Sequence, residues 1–115
     1  IIDDDESLRE LFEFTMTKAG FIVASAEDGV NGLAKVPVFK PHLIVLDLMM
    51  PQLDGFGVIH RLQAEGLGGI PVIVITGYSD QANENIVSRE PNVVGFFHKP
   101  IKYDDLVKRI KGLLA

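Results

Sequence analysis

Four apolar stretches of this 115-residue chain end in residues that carry charge or a hydroxyl. Ile1 and Ile2 run into Asp3 and Asp4, and Leu43 to Leu46 run into Asp47. Val72 to Ile75 run into Thr76, and Val93 to Phe97 lead to Lys99 and Pro100. An isolated carboxylate is costly to bury, so an acid at the end of a buried strand needs a partner. Three acids and one lysine at strand ends suit a site that holds a divalent cation and a phosphoryl group. Mg²⁺ prefers oxygen ligands and keeps several waters, so one or two carboxylates plus a phosphate oxygen suffice. Asp47 could then be a nucleophile that becomes an aspartyl-phosphate. A nearby cation would keep it ionised and screen the incoming phosphate. Lys99 would offset the acids and hold a phosphoryl oxygen as a point charge. The Thr76 hydroxyl could donate to the same group.

Each residue also has a plainer reading. Asp3 and Asp4 could cap a helix start, as acids in a first turn commonly do; Asp5 and Glu6 are assigned that role. Asp47 could be a structural acid bonded to loop amides. Lys99 alone could be a solvated lysine. Thr76 could be only a β-branched strand residue, and Gly77 only turn chemistry.

The elements that must position these residues follow from periodicity. Ile1 and Ile2 look like the stub of a first strand, and Phe21 to Ser25 is strand-like. Leu43 to Asp47 is a continuous apolar run, as in a parallel strand covered on both faces. Pro71 to Thr76 and Val93 to Phe97 are the fourth and fifth strands. Between them, Glu6 to Ala19 places Leu8, Leu11, Phe12 and Met16 on one helical face, ended by Gly20. Asp28 to about Val36 is a second helix, weakened by its glycines and Pro37. Gly55 to about Glu65 carries Phe56, Ile59 and Leu62 as a third. Asp80 to Arg89, with Ala82 and Ile86 paired, is a sparse fourth, and Tyr103 to Leu114 a strongly amphipathic fifth. Strands alternating with helices indicate an α/β fold with a parallel sheet and right-handed crossovers. In such a sheet ligands bind outside the carboxyl ends of the strands. Asp3, Asp4, Asp47, Thr76 and Lys99 all fall there.

Length suits one domain spanning residues 1–115, with the first strand short of its opening residues. The net charge is −5, from 16 acidic and 11 basic residues, which disfavours direct nucleic-acid binding by this chain. With no cysteine, disulfides and thiolate chemistry are excluded. The uncharged stretch 66–79 is too short and too interrupted by glycine and proline to span a membrane. No signal-peptide pattern is visible, so a cytoplasmic location is expected.

Taken together, these motifs resemble the receiver domain of two-component response regulators. The resemblance rests on Asp3 and Asp4, on Asp47 through Pro51 to Leu53, Asp54 and Gly55, on Ile75, Thr76 and Gly77, and on Lys99 and Pro100. It covers essentially the whole chain. It implies a flavodoxin-like (βα)5 doubly wound parallel sheet of strand order 2-1-3-4-5. It implies Asp47 as phosphoacceptor, with Asp3, Asp4, Asp47 and the Met49 backbone carbonyl around Mg²⁺ or Mn²⁺. Thr76 and Lys99 would contact the phosphoryl group. Phe96 would be the aromatic switch residue, acting by packing because it lacks a hydroxyl; its plainer reading is core packing. The Lys99–Pro100 bond is expected to be cis. Met49 and Tyr78 flank the site where family members vary.

The same resemblance implies a sensor histidine kinase as phosphodonor. It also implies a shift of the surface formed by the fourth helix, fifth strand and fifth helix, which would control an output domain or a separate target and could mediate a dimer. The chain would be a switch that catalyses only its own phosphoryl transfer and dephosphorylation, not an enzyme acting on other substrates. A competing Mg²⁺-dependent phosphohydrolase would resemble Asp-x-Asp at the nucleophile, but Met49 stands at the second acid's position. A degenerate receiver that binds partners without phosphate is the other alternative, against which the complete acid set, Thr76 and Lys99 all weigh.

Overall fold

A computed structural model describes the chain except for residues 51–52 and 78–80 and the side chains of 81–83. The expectations placed on Pro51, Tyr78 and the Ala82 pairing, and the proposed helix start at Asp80, lie outside the described residues. Three strands form a parallel sheet in the order β1 (Ile44–Asp47), β2 (Val72–Thr76), β3 (Val93–His98). The first two expected strands contract to single parallel bridges: Ile2 pairs with Ala26 on one side and with Leu46 on the other. Read across the bridges, the order is 2-1-3-4-5 in terms of the five sequence segments, as in a flavodoxin-like fold.

The strand expected at Phe21 to Ser25 is corrected: the segment holds no regular strand and meets the sheet through the Ile2–Ala26 bridge and the Ala24 carbonyl, which accepts from the Ile1 amine at 3.0 Å. The physical reason lies beside it. Ile1 and Ile2 offer the ladder one residue pair on each side, too little for a regular strand.

Among the described residues, five helices flank the sheet: α1 (Glu6–Lys18), α2 (Gly29–Phe39), α3 (Gly55–Ala64), α4 (Gln81–Ser88) and α5 (Tyr103–Leu114). Two apolar cores lie on opposite faces of the sheet. Leu33 and Val36 of α2, Val58, Ile59 and Leu62 of α3, and Val87 of α4 pack with Leu46, Val72 and Val74. Phe12 and Met16 of α1 and Leu106 and Ile110 of α5 pack with Val45, Ile73 and Ile75. Alternate side chains of β1 and β2 thus enter opposite cores. That is why β1 and β2 read as unbroken apolar runs: every residue in both is buried.

Three helix starts are fixed by acids. Asp5, Asp28 and Asp54 precede α1, α2 and α3, and their side chains accept from the amides of Leu8, Asn31 and Gly57. The helix α2 runs past the expected end at Val36 and through Pro37 to Phe39. Pro37 removes one helical donor. The turn nevertheless closes, because the Lys40 amide donates to the Val36 carbonyl at 2.9 Å with Lys40 in the left-handed region, φ 54°. The Lys99–Pro100 peptide is cis.

Candidate functional site

Asp3, Asp4, Asp47 and Lys99 meet at the carboxyl end of the sheet, from chain segments far apart in sequence. Asp47 is the last residue of β1, and its amide donates to the Ile2 carbonyl at 2.8 Å. That bond ties the end of β1 to the segment carrying the acid pair. Asp3 is anchored by its own amide, which donates to the Ala26 carbonyl at 3.1 Å. Lys99 follows β3, and its amide donates to the Thr76 carbonyl at 2.7 Å. Gly77 lies against the lysine stem, where an added Cβ would make ordinary contact with Lys99 Cδ at 4.0 Å.

A second close approach sets the loop after Asp47. At Gly55, the first residue of α3, a Cβ would lie 2.8 Å from the Asp47 carbonyl oxygen and 2.7 Å from Leu48 Cα. Only a residue without a side chain lets α3 begin this near the end of β1. The Gly55 amide uses that proximity to donate to the Leu48 carbonyl at 2.9 Å.

Asp3 is fully buried and Asp47 is 2 % exposed, whereas Asp4 is exposed. Asp3 Oδ1 accepts from the Asp5 amide at 2.8 Å, and Asp47 Oδ1 accepts from the Met49 amide at 3.3 Å. Their other oxygens face Lys99 Nζ, at 3.1 Å from Asp3 Oδ2 and 3.5 Å from Asp47 Oδ2. Asp3 Oδ2 is close enough for an ion pair yet receives no well-aligned hydrogen bond.

Two buried acids share one ammonium, and the electrostatics follow. Burial, and next the negative charge of Asp3, push the Asp47 carboxyl up to about 6; Lys99 and the Met49 amide oppose this only in part. Burial alone would lower the Lys99 ammonium, but Asp3 and then Asp47 outweigh it and raise it above the usual lysine range. The pocket has more negative charge than its lysine balances.

An oxygen of each of Asp3, Asp4 and Asp47 lies within 4.8 Å of the others, so one small cation could touch all three. The donor set is all oxygen, and a buried carboxylate oxygen without a well-aligned donor points into it. That combination fits a hard divalent cation. A groove of about 450 Å³ beside the first strand is mostly apolar and is lined by none of these residues.

The remaining sequence candidates divide. Thr76, the last residue of β2, is buried beside the site, in register with His98. Met49 is exposed. Phe96 and Phe97 point to opposite faces of β3, each partly buried, Phe96 with the α2–α4 core and Phe97 with the α1–α5 core. The Phe96 ring lies 5.3 Å from that of His98, whose Nε2 is 3.5 Å from Glu84 Oε2 on α4. Three contributors escaped the sequence reading: Arg9, Glu84 and His98. Arg9 Nη1 donates to the Asp3 carbonyl at 2.7 Å. A basic residue one turn into the helix after the acid pair was the available signal for Arg9.

Comparison with known proteins agrees with this geometry. The family model described as the response regulator receiver domain matches residues 1–111. The chain is 35% identical over 115 residues to the DNA-binding dual master transcriptional regulator RpaA of Synechocystis sp., covering 99% of this chain and 47% of that protein. It is 32% identical over 114 residues to the response regulator MprA of Mycobacterium ulcerans, covering 99% of this chain and 48% of the other. The chain thus spans about half the length of the curated relatives it matches. Among solved structures, the receiver domain of Francisella response regulator 1452 superposes with a TM-score of 0.87 at 26% identity, over 97% of this chain and 91% of that one.

Proposed function

The chain belongs to the response-regulator receiver family, and on that premise we propose that Asp47 is its phosphoacceptor, taking a phosphoryl group from the phosphohistidine of a sensor kinase. One observation carries the reading: Asp3, Asp4 and Asp47 converge within 4.8 Å, with Lys99 Nζ opposite. In the transfer, an Asp47 carboxylate oxygen forms the new O–P bond as the N–P bond of the phosphohistidine breaks. The electron pair returns to the imidazole nitrogen. The chain's part is positioning and electrostatics.

Asp3, Asp4, Asp47 and the Met49 carbonyl would hold Mg²⁺ or Mn²⁺. When bound, the ion supplies positive charge that keeps Asp47 ionised and offsets the phosphoryl oxygens. Lys99 would exchange its carboxylate partners for a phosphoryl oxygen, and Thr76 would donate its hydroxyl to another. Water later hydrolyses the acyl phosphate, and Asp47 returns as a carboxylate. Met49 supplies no proton donor at the second position after Asp47, which separates this cycle from a turnover phosphohydrolase.

The signal would leave through α4, β3 and α5. Lys99 directly follows β3, Phe96 packs on the α4 side, and His98 touches Glu84 of α4. Movement of Lys99 toward a phosphoryl group would bias that surface, a dimer through it, and an output domain or separate target. A net charge of −5 assigns any DNA contact to such an output region. Among the described residues no helix is long and apolar enough to cross a membrane; we place the domain in the cytoplasm, with its kinase's phosphohistidine.

The test is incubation with a small phosphodonor such as acetyl phosphate, with and without Mg²⁺, read by intact mass. One added phosphoryl group that requires Mg²⁺ and is absent from Asp47→Asn is expected. The same addition to Asp47→Asn would refute the assignment.

A further inference from the structure

Asp3 is the most confined residue of the acid pair, and its confinement comes from three directions. Its amide donates to the Ala26 carbonyl, its Oδ1 accepts from the Asp5 amide, and its carbonyl accepts from Arg9 Nη1 at 2.7 Å. The first two contacts are backbone groups of neighbouring segments. The third is the guanidinium of a helix residue six positions on, half-buried against the loop. Asp3 Oδ2 is what this clamp leaves over: fully buried, without an aligned donor, and turned toward Lys99.

We propose that Arg9 is a positioning residue for the cation site: by gripping the Asp3 carbonyl it fixes the loop from which Asp3 and Asp4 present their carboxylates. The proposal rests on the reading that these acids hold Mg²⁺. Arg9 does not touch the ion; it acts through the Asp3 peptide. A guanidinium suits this task because it keeps its charge and presents donors in a rigid plane.

Two effects of Arg9 oppose each other, and their signs differ. As a positive charge near an acidic cluster, it repels a cation, so removing it should tighten Mg²⁺ binding. As a clamp, it preorganises the ligands, so removing it should loosen binding. A charge held at the surface is screened by water and salt, whereas misplacing a buried ligand is not. The clamp should win.

The experiment uses wild type, Arg9→Met and Arg9→Lys, with Mg²⁺ titrated against ¹⁵N amide shifts of Asp5 and Met49. Arg9→Met is expected to weaken Mg²⁺ affinity by about fivefold or more. Arg9→Lys, which keeps the charge and one donor, should recover most of it. With acetyl phosphate, Arg9→Met should need more Mg²⁺ for half-maximal rate but reach the wild-type rate at saturation. Without metal, the Asp5 amide should exchange faster with solvent in Arg9→Met while β2 amides keep their protection. Equal or tighter Mg²⁺ binding by Arg9→Met, or an unchanged Asp5 exchange rate, overturns the inference. Absence of Mg²⁺ uptake by the wild type overturns the underlying reading, and that result needs no variant.

Discussion

Lys99 Nζ stands nearer to Asp3 than to Asp47, 3.1 Å against 3.5 Å. In this state the lysine therefore neutralises chiefly the acid of the pair, and leaves the strand-end acid under-compensated. Asp47 carries the consequence as a carboxyl lifted to about 6 by burial and by Asp3. The acid at the end of β1 is thus the one with the longer contact to Lys99.

Removing that ammonium should cost stability. Lys99→Met leaves two buried acids facing each other, and breaking a buried pair is far more costly than never forming it. Because Lys99 is one-quarter exposed, we expect a loss of about 1–3 kcal/mol in urea unfolding without divalent ions. Saturating Mg²⁺ should recover part of it. An unchanged midpoint would mean that the acids are compensated elsewhere.

The metal-free protein should lose stability as pH rises through the range from about 4 to about 6. The sign follows from Asp47, whose folded value of about 6 exceeds its ordinary 3.8. Between those values the native state holds a proton that the unfolded chain has released, so raising pH favours unfolding. The effect should level off above about 6 and amount to on the order of 1–3 kcal/mol. Mg²⁺ should oppose it at neutral pH by binding only the folded, ionised site. Thermal midpoints from pH 4 to 6 with EDTA, and at pH 7 with and without Mg²⁺, check both statements; a rise in stability between pH 4 and 6 with EDTA would contradict the first.

Gly55 should not tolerate a side chain. A valine there would press on Leu48 Cα and the Asp47 carbonyl, both backbone atoms that cannot step aside. We expect Gly55→Val to cost about 1–3 kcal/mol or more and to weaken Mg²⁺ binding by moving Asp47. Gly69→Ala, where an added Cβ meets nothing within 4 Å, is the control and should be near neutral in urea unfolding.

The His98–Glu84 contact should be weak. Both side chains are partly exposed, at 44% and 29%, and the pair is 3.5 Å long. A double-mutant cycle with His98→Asn and Glu84→Gln should give a coupling below about 1 kcal/mol. A coupling well above about 1 kcal/mol would show that the pair is shielded from solvent.

How far the chain could be read in advance depended on what each segment owed to its own residues. The apolar runs Leu43 to Leu46 and Val72 to Ile75 announced buried parallel strands because no position in them faces water. The ends of α1, α3 and α5 followed from their periodicity and caps. Phe21 to Ser25 misled because strand composition says nothing of how much of a partner lies alongside, and here that is only the short Ile1–Ile2 segment. The extent of α2 was missed because Pro37 was read as a stop, when it forfeits only one bond near a helix end. Convergence of Asp3, Asp47 and Lys99 was inferable because a parallel sheet gathers its strand ends on one edge. What could not be inferred were the distances, and with them the lysine's preference for Asp3. Arg9 left only its place one turn into α1 as a sign, because a side-chain bond to a backbone carbonyl leaves no periodic trace.

The central claim is that Asp47, and no other side chain, carries the phosphoryl group. Reducing the phosphorylated protein with borohydride converts an acyl phosphate to an alcohol, which marks the modified residue for peptide mapping. The account predicts the reduced side chain at position 47 alone, formed only after incubation with Mg²⁺ and phosphodonor. Reduction at Asp3 or Asp4, or a phosphoryl group on a hydroxyl such as that of Thr76, would contradict it.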